Sequence, residues 1–220
     1  MKSSDFWDKI ADSYVAKPVA DKASYEHTLG RTREHLRPTD RVLELGAGSG
    51  ATALMLAPHV TQIFATDSSP RMVQLGRERA TAEGVRNVEF GIAEFMEAPG
   101  LAGGYDVILA FNLLHLIPDL RKALAFAHKN LKPGGRFISK TACRPGPVKY
   151  ALMRGAIGLM QAMGKAPDVV RLMPTDELDA AIEAAGFRIV ETCDRPKSPP
   201  AHFVVAEKVR ELPSERHVIR

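Results

Sequence analysis

A glycine-rich turn sets the strongest constraint on how this chain folds. In the stretch VLELGAGSGA, which covers residues 42–51, an apolar strand pattern runs directly into Gly46, Gly48 and Gly50. Glycines are needed at such a turn because the backbone bends sharply and approaches a ligand without a Cβ atom in the way. In an open α/β sheet, the first strand-to-helix turn lies beside the crevice where ligands bind. The stretch therefore predicts an α/β fold with a ligand site at residues 46–50.

The rest of the chain alternates short apolar runs with helical patterns, which is typical of a parallel sheet with helices on both faces. The predicted strands are Arg41–Leu45, Gln62–Thr66, Asn87–Gly91, Tyr105–Ala110, Gly135–Lys140, Arg188–Cys193 and Phe203–Glu207. The predicted helices are Ala51–Pro58, Pro70–Glu83, Asp119–Asn130 and Thr175–Ala185. A linker too short for a crossover helix joins the last two strands, so we expect that pair to be antiparallel.

Length and composition fit one domain over residues 1–220. The chain is 45% hydrophobic and 25% charged, which are ordinary values for a globular protein. Two segments flank the predicted core: an N-terminal helical region at residues 5–36 and an insertion at about residues 142–173. The insertion holds four of the eight methionines. It is either a buried helix or a mobile apolar lid over a substrate.

Charge, hydropathy and cysteine content exclude several partners. The net charge of +4 is small for 220 residues, and without clustered basic residues it predicts no nucleic-acid partner. The longest apolar run is well short of the ~20 residues that cross a bilayer, so we expect no membrane partner. Cys143 and Cys193 form neither a C-x-x-C pair nor a disulfide framework, which favours a reducing, cytoplasmic location.

The glycine turn is compatible with two cofactors. Gly46, Gly48 and Ala51 satisfy the G-x-G-x-x-[GA] pattern, and Asp67 follows at the end of the next predicted strand; together these resemble a dinucleotide fingerprint. However, Glu44 precedes the first glycine by two residues, where its carboxylate would repel a pyrophosphate. S-adenosylmethionine carries an ammonium and a sulfonium and no phosphate, so Glu44 favours that ligand.

Four segments in order resemble the motifs of the class I S-adenosylmethionine-dependent methyltransferases, specifically their small-molecule branch. They are Glu44-x-Gly46-x-Gly48-x-Gly50, Ala65–Met72, Tyr105-Asp106-Val107-Ile108 with Asn112 and His115, and Leu131-Lys132-Pro133-Gly134-Gly135. The resemblance implies a Rossmann-like, seven-stranded, mostly parallel sheet with strand order 3-2-1-4-5-7-6 and an antiparallel last strand. It also implies S-adenosylmethionine as cofactor and S-adenosylhomocysteine as product.

The resemblance further implies which residues bind the cofactor. Glu44 would face the methionine ammonium, Asp67 the two ribose hydroxyls, and Ser68 with Met72 the adenine. The chain has Gly91-Ile92-Ala93-Glu94 where family members often have Gly-Asp-Ala, so Glu94 or the backbone of Ala93 would replace a side-chain contact with adenine. The complete predicted set is Tyr14, Glu44, Gly46, Ala47, Gly48, Asp67, Ser68, Met72, Ala93, Glu94, Asn112 and Leu113.

His115 is the candidate catalytic residue, because its loop would face the transferring methyl and histidine titrates near neutral pH. A purely structural histidine among the leucines around it is the alternative. No metal is expected. We expect methyl transfer to a small-molecule acceptor by in-line displacement, with the acceptor, the methylated atom and the oligomeric state left open.

Other functions remain alternatives. A base-flipping DNA methyltransferase would carry D/N-P-P-Y/F after the fourth strand, where this chain has Phe111-Asn112-Leu113-Leu114. A protein substrate leaves no short motif by which to exclude it. An NAD-dependent oxidoreductase is disfavoured by Glu44, and a protein that binds the cofactor without turnover is a further alternative.

Overall fold

One seven-stranded sheet forms the centre of the protein. The computed structural model describes residues 3–101, 103–197 and 199–209, so parts of the predicted 1–220 domain lie outside the described residues. The strands are β1 (Arg41–Leu45), β2 (Gln62–Asp67), β3 (Val88–Ile92), β4 (Tyr105–Phe111), β5 (Leu131–Ala142), β6 (Phe187–Lys197) and β7 (Pro200–Lys208). Their order is β3-β2-β1-β4-β5-β7-β6, and β7 is antiparallel to both neighbours. The fold class predicted from the sequence is confirmed.

Helices cover both faces of this sheet. They are α1 (Ser3–Val15), α2 (Lys22–Glu34), α3 (Ala51–Leu56), α4 (Pro70–Ala82), α5 (Leu120–Asn130), α6 (Pro147–Ala162) and α7 (Thr175–Ala184). Apolar residues of α2, α3 and α4 fill the core on one face, and those of α5 and α7 fill it on the other. No helix in the described ranges is long and apolar enough to cross a membrane.

The strand ends differ from the sequence-based prediction where pairing overrides local signals. Tyr105 pairs with Leu131 before the register between β4 and β5 shifts. Strand β5 therefore begins at Leu131, ahead of Gly135, where the sequence predicted its start. The predicted linker between the last strands belongs instead to a longer hairpin, in which Lys197 pairs with Pro200. Cross-strand pairing therefore extends the sheet through residues that the sequence pattern predicts to be turns or linkers.

The helix predictions differ at similar points. The predicted N-terminal helical region is two helices, α1 and α2, separated by a segment that contains Pro18. Helix α3 stops at Leu56 and continues as one 3-10 turn, Ala57–His59, because Pro58 has no N–H to extend the α-helical bonding.

Helix α1 is held at the start of α4. The carboxylate of Asp8 accepts a hydrogen bond from Ser69 Oγ at 2.8 Å and another from the Arg71 N–H at 2.8 Å. Ser69 in turn caps α4 by accepting from the Met72 N–H, which satisfies a backbone donor that the first turn leaves free. These contacts place the N-terminal segment over the carboxyl end of β2.

We predict that Gly50→Ala is much more destabilising than Gly84→Ala. Both glycines have positive φ, +72° and +68°, but a Cβ atom at Gly50 meets the Phe90 ring at 2.4 Å, whereas one at Gly84 meets nothing within 4 Å. The shared backbone strain costs ~1–2 kcal/mol, and overpacking against the ring adds ~1–3 kcal/mol. Urea unfolding of both variants measures the difference; equal free energies of unfolding would contradict the close packing.

Candidate functional site

The glycine turn between β1 and α3 forms the floor of the candidate site. Gly46, Gly48 and Gly50 all have positive φ, at 65°, 56° and 72°, a conformation that glycine adopts at no steric cost. A Cβ atom at Gly46 would lie 2.7 Å from Leu113 Cδ1, whereas one at Gly48 would meet nothing within 4 Å. The turn is thus covered by Leu113 at its start and open at Gly48, where a ligand can approach the backbone.

The carboxylate of Asp67 joins this turn to the start of α4. Its Oδ2 accepts a hydrogen bond from the Gly48 N–H at 2.8 Å, and its Oδ1 accepts one from the Ser69 N–H at 2.9 Å. Burial raises the pKa of Asp67 despite these bonds. Each carboxylate oxygen accepts more than one hydrogen bond, so both oxygens retain the capacity to bind a pair of ligand hydroxyls.

Glu44 is a buried carboxylate without a matching positive charge. The residue is only 3% exposed. Its Oε2 is buried and accepts no hydrogen bond from the described residues, and the nearby Ala53 N–H only partly offsets the cost of a charge there. Burial, and next the charge of Asp67, raise the pKa of Glu44 to about 8. Two carboxylates facing one open turn create a strong preference for a cationic ligand.

The predicted adenine-binding residues lie around the ends of β2 and β3. Ser68 is partly exposed and Glu94 is exposed, whereas Met72 is buried within α4. The Ala93 N–H donates to the Asp67 carbonyl at 3.0 Å. These contacts bring the Ala93 backbone next to Asp67.

Sequence reasoning missed Ile92 at this end of the site. It pairs with Asp67 across the two strands, and its side chain is exposed. A large apolar side chain exposed beside a carboxylate offers an apolar surface against which an aromatic base could pack. The signal was present in the sequence, since Ile92 occupies the position where the family often has aspartate.

The loop after β4 brings Asn112, Leu113 and His115 to the other side of the turn. Asn112 has a φ of 53°, and its N–H donates to the Lys140 carbonyl at 2.7 Å, which fixes the sharp bend of the loop. His115 Nδ1 is buried with no hydrogen-bond partner in the described residues. Burial lowers the pKa of His115 to about 4, so the imidazole is neutral at physiological pH.

The insertion is joined to this loop through the backbone. The Arg171 N–H donates to the His115 carbonyl at 2.7 Å, and the Arg144 N–H donates to the Met173 carbonyl at 2.8 Å. The second bond closes the base of the segment that contains α6. The insertion therefore starts and ends beside the candidate catalytic loop.

Tyr14 is the predicted site residue that the structure ties least closely to the turn. Its side chain is exposed, and its ring packs edge-on against Trp7, with 5.6 Å between the centroids. The hydrogen bonds of Asp8 to the start of α4 place α1 near Asp67. A contact of Tyr14 with the cofactor stays a prediction.

The carboxyl groups of the site fit S-adenosylmethionine better than a dinucleotide. The ionisable side chains described beside the turn, Glu44 and Asp67, both carry carboxyl groups, and Glu44 has an unbonded buried oxygen. An ammonium can donate a hydrogen bond to that oxygen and a sulfonium adds a second positive charge, whereas a pyrophosphate would add a third centre of negative charge.

The sequence matches a known domain family over most of its length. The family is described as a methyltransferase domain, and the match covers residues 19–192. YcgJ of Bacillus subtilis, named an uncharacterized methyltransferase, is 36% identical over 104 residues, which are 46% of this chain and 40% of YcgJ. The 27-O-demethylrifamycin SV methyltransferase of Amycolatopsis mediterranei is 30% identical over 155 residues, which are 69% of this chain and 55% of that protein.

The chain thus spans about half the length of these two relatives. It spans far less of Squalestatin hexaketide synthase from Phoma sp., which is 30% identical over 186 residues, or 77% of this chain and 7% of that protein.

Solved structures share the fold. The crystal structure of YcgJ superimposes with a TM-score of 0.68 at 21% identity and covers 84% of this chain and 100% of YcgJ. Geranyl diphosphate C-methyltransferase from Streptomyces coelicolor, solved with S-adenosyl-L-homocysteine, gives a TM-score of 0.68 at 14% identity over 84% of this chain and 79% of that one. Because the domain match spans most of the sequence and the strand order is shared with these enzymes, the chain belongs to the class I S-adenosylmethionine-dependent methyltransferases.

Proposed function

We propose that this protein transfers the methyl group of S-adenosylmethionine, the cofactor of its family, to a small-molecule acceptor and releases S-adenosylhomocysteine. The observation that carries the proposal is the buried Oε2 of Glu44, which accepts no hydrogen bond from the described residues and lies near the charge of Asp67. A cationic ligand offsets the cost of burying that carboxylate. The ammonium and sulfonium of S-adenosylmethionine are such cations.

In the predicted complex, residues at the ends of three strands contact different parts of the cofactor. Glu44 faces the methionine ammonium, and the backbone of Gly46, Ala47 and Gly48 lies beneath the ligand. The carboxylate of Asp67 accepts hydrogen bonds from the ribose hydroxyls, for which a pair of oxygens is well suited. At the far end, Ile92 is added to the predicted adenine-binding set of Ser68, Met72, Ala93 and Glu94.

A small-molecule acceptor is supported by the names of two similar proteins. One is a methyltransferase of 27-O-demethylrifamycin SV, and another is a geranyl diphosphate C-methyltransferase. In this chain the acceptor would enter between the loop that carries His115 and the insertion, which the Arg171 to His115 hydrogen bond holds together. The inner side chains of α6 give that side of the site an apolar wall.

The reaction requires alignment of the acceptor with the methyl group more than it requires acid–base catalysis. The sulfonium supplies an activated leaving group, so the residues mainly hold the acceptor in line with the methyl and exclude water. A thiolate or neutral amine needs no base for this step. A hydroxyl acceptor loses a proton, and we infer that the neutral imidazole of His115 accepts it.

A cytoplasmic location belongs to the same proposal. Cys143 and Cys193 are both free, and Cys143 is buried. Burial raises the pKa of Cys143 to about 11, which keeps it an unreactive thiol. Free thiols of this kind support a reducing compartment.

We predict that cofactor binding releases protons through Glu44. In the ligand-free protein its pKa of about 8 leaves the side chain mostly protonated at neutral pH, and a bound cation lowers that pKa. Calorimetric titration of S-adenosylmethionine in buffers of different ionisation enthalpy should detect about one released proton, with affinity rising from about pH 6 to about pH 8. Glu44→Gln should bind weakly without proton release, and Glu89→Gln should behave as the parent.

The same carboxylate sets a pH dependence of stability. Because the folded-state pKa is raised from 4.5 to about 8, the ligand-free protein loses stability as pH rises through that interval. We expect Glu44→Gln to melt several degrees higher than the parent at pH values above 8, with the difference vanishing below the unfolded pKa. A variant that is less stable throughout would show that Glu44 is held by contacts other than those described.

We predict that Asp67→Ala weakens cofactor binding by ~100-fold or more, since it removes two charge-assisted hydrogen bonds to the ribose. Asp106→Ala is the matched control: this aspartate bonds to the Arg41 N–H and to Lys132 Nζ at the opposite edge of the sheet. It should lower the melting temperature and leave the dissociation constant unchanged. An unchanged affinity in Asp67→Ala would remove Asp67 from the site.

We predict that His115→Ala lowers turnover ~100-fold for a hydroxyl acceptor but not for a thiol acceptor. Acceptors of both kinds come from a screen for release of S-adenosylhomocysteine. With the pKa of His115 lowered to about 4, the parent's rate should show no inflection near 6.5. Equal losses on both acceptors would assign His115 to packing of the loop.

A further inference from the structure

Helix α6 presents a surface that the proposed reaction does not explain. None of its sixteen residues is buried. Its half-buried side chains, Tyr150, Met153, Ile157 and Gln161, recur at the spacing of one helix face and point towards the body of the protein. If α6 covers a substrate, it is this inner face that contacts the substrate.

The opposite face of α6 is apolar and open to solvent. Its large side chains are Val148, Leu152, Leu159 and, just past the helix end, Met163, which are 74%, 73%, 63% and 51% exposed. On a surface helix this face is normally polar. A continuous apolar stripe of this kind marks an interaction site. No residue in the described ranges covers this stripe, so its occupant is sought outside them.

The charge around this stripe favours an anionic occupant. Four basic residues, Arg144, Lys149, Arg154 and Lys165, lie between Cys143 and Pro167, and that stretch contains no aspartate or glutamate. Two copies of α6 packed against each other would bring these cations together. An anionic partner is attracted by their combined positive charge.

The chemistry of the stripe favours a lipid surface over an acidic protein. Between Lys149 and Met163, the outward residues Leu152, Gly155, Ala156 and Leu159 carry no hydrogen-bonding side chain. A specific protein interface usually includes about one hydrogen bond per 100–200 Å² of interface, whereas acyl chains form no hydrogen bonds. Sixteen residues are too few to cross a bilayer, which takes about 20, but they suffice for a helix lying in the interface.

We propose that α6 docks this protein onto a bilayer of anionic lipids. Val148, Leu152 and Leu159 enter the boundary between headgroups and acyl chains. The guanidinium of Arg154 and the amine of Lys165 extend back to the phosphates. The inference revises the sequence-based expectation of no membrane partner, which rested on the lack of a spanning segment and did not consider surface binding.

Docking through α6 also orients the site. The base of the insertion is closed by the Arg144 to Met173 bond, and the Arg171 N–H holds the His115 carbonyl. A bilayer under α6 therefore lies beside the loop where the acceptor is expected. The docking itself does not depend on which reaction the site performs.

The test is co-sedimentation of the full chain with lipid vesicles. We expect binding to phosphatidylcholine vesicles containing about one-third phosphatidylglycerol to be ~10-fold or more tighter than to phosphatidylcholine alone, and to weaken as salt rises. Leu152→Asp combined with Leu159→Asp should abolish it. Val190→Asp, which places the same charge on an exposed apolar residue of β6, should bind as the parent does.

Charge removal gives a second, independent comparison. Arg154→Gln with Lys165→Gln should weaken vesicle binding several-fold, whereas Arg86→Gln with Lys129→Gln, at exposed positions elsewhere, should not. All four altered residues are exposed, so melting temperatures should stay within a few degrees of the parent.

Two results would overturn the proposal. One is equal or absent sedimentation with both kinds of vesicle while the parent is folded, which would leave an acidic protein as the occupant. The other is a dimer, seen by light scattering, that the Leu152→Asp and Leu159→Asp pair disperses; the stripe would then be an interface between two copies of the chain.

Discussion

The burial of Glu44 beside Asp67 is the constraint on which the rest of the site depends. Removing one carboxylate from water is costly, and placing a second one nearby adds to the cost. The protein meets this cost by leaving Glu44 protonated when the crevice is empty, as its pKa of about 8 implies. In the proposed function, the open space at Gly48, next to the Asp67 hydrogen bond, is where a cationic ligand reaches these carboxyl groups.

The sheet was predictable because its signals are local and repeated. The glycine turn at Gly46–Gly50 and the alternation of apolar runs determine which residues form strands. The short linker before β7 predicts the antiparallel last pair. The strand ends were less predictable, since the pairing of Tyr105 with Leu131 and the extension of the last hairpin arise only when strands meet.

The sequence predicted which residues form the site but not how deeply each one is buried. The sequence indicated Glu44 and Asp67 but contained no measure of how deeply each is buried, which decides their protonation. It suggested His115 as a base because histidine titrates near neutral pH, yet burial lowers its pKa to about 4. Ile92 was visible only as a departure from a motif until β2 and β3 placed it opposite Asp67.

The residues predicted to hold the cofactor and those that surround the acceptor come from different halves of the chain. The former, apart from Asn112 and Leu113, precede Phe95, and the latter follow Phe111. The two sets meet where Leu113 covers the start of the glycine turn at Gly46, beside the pairing of β1 with β4. Under the proposed function, substitutions in the insertion would alter the acceptor side of the site without replacing Glu44, Asp67 or any residue of the glycine turn.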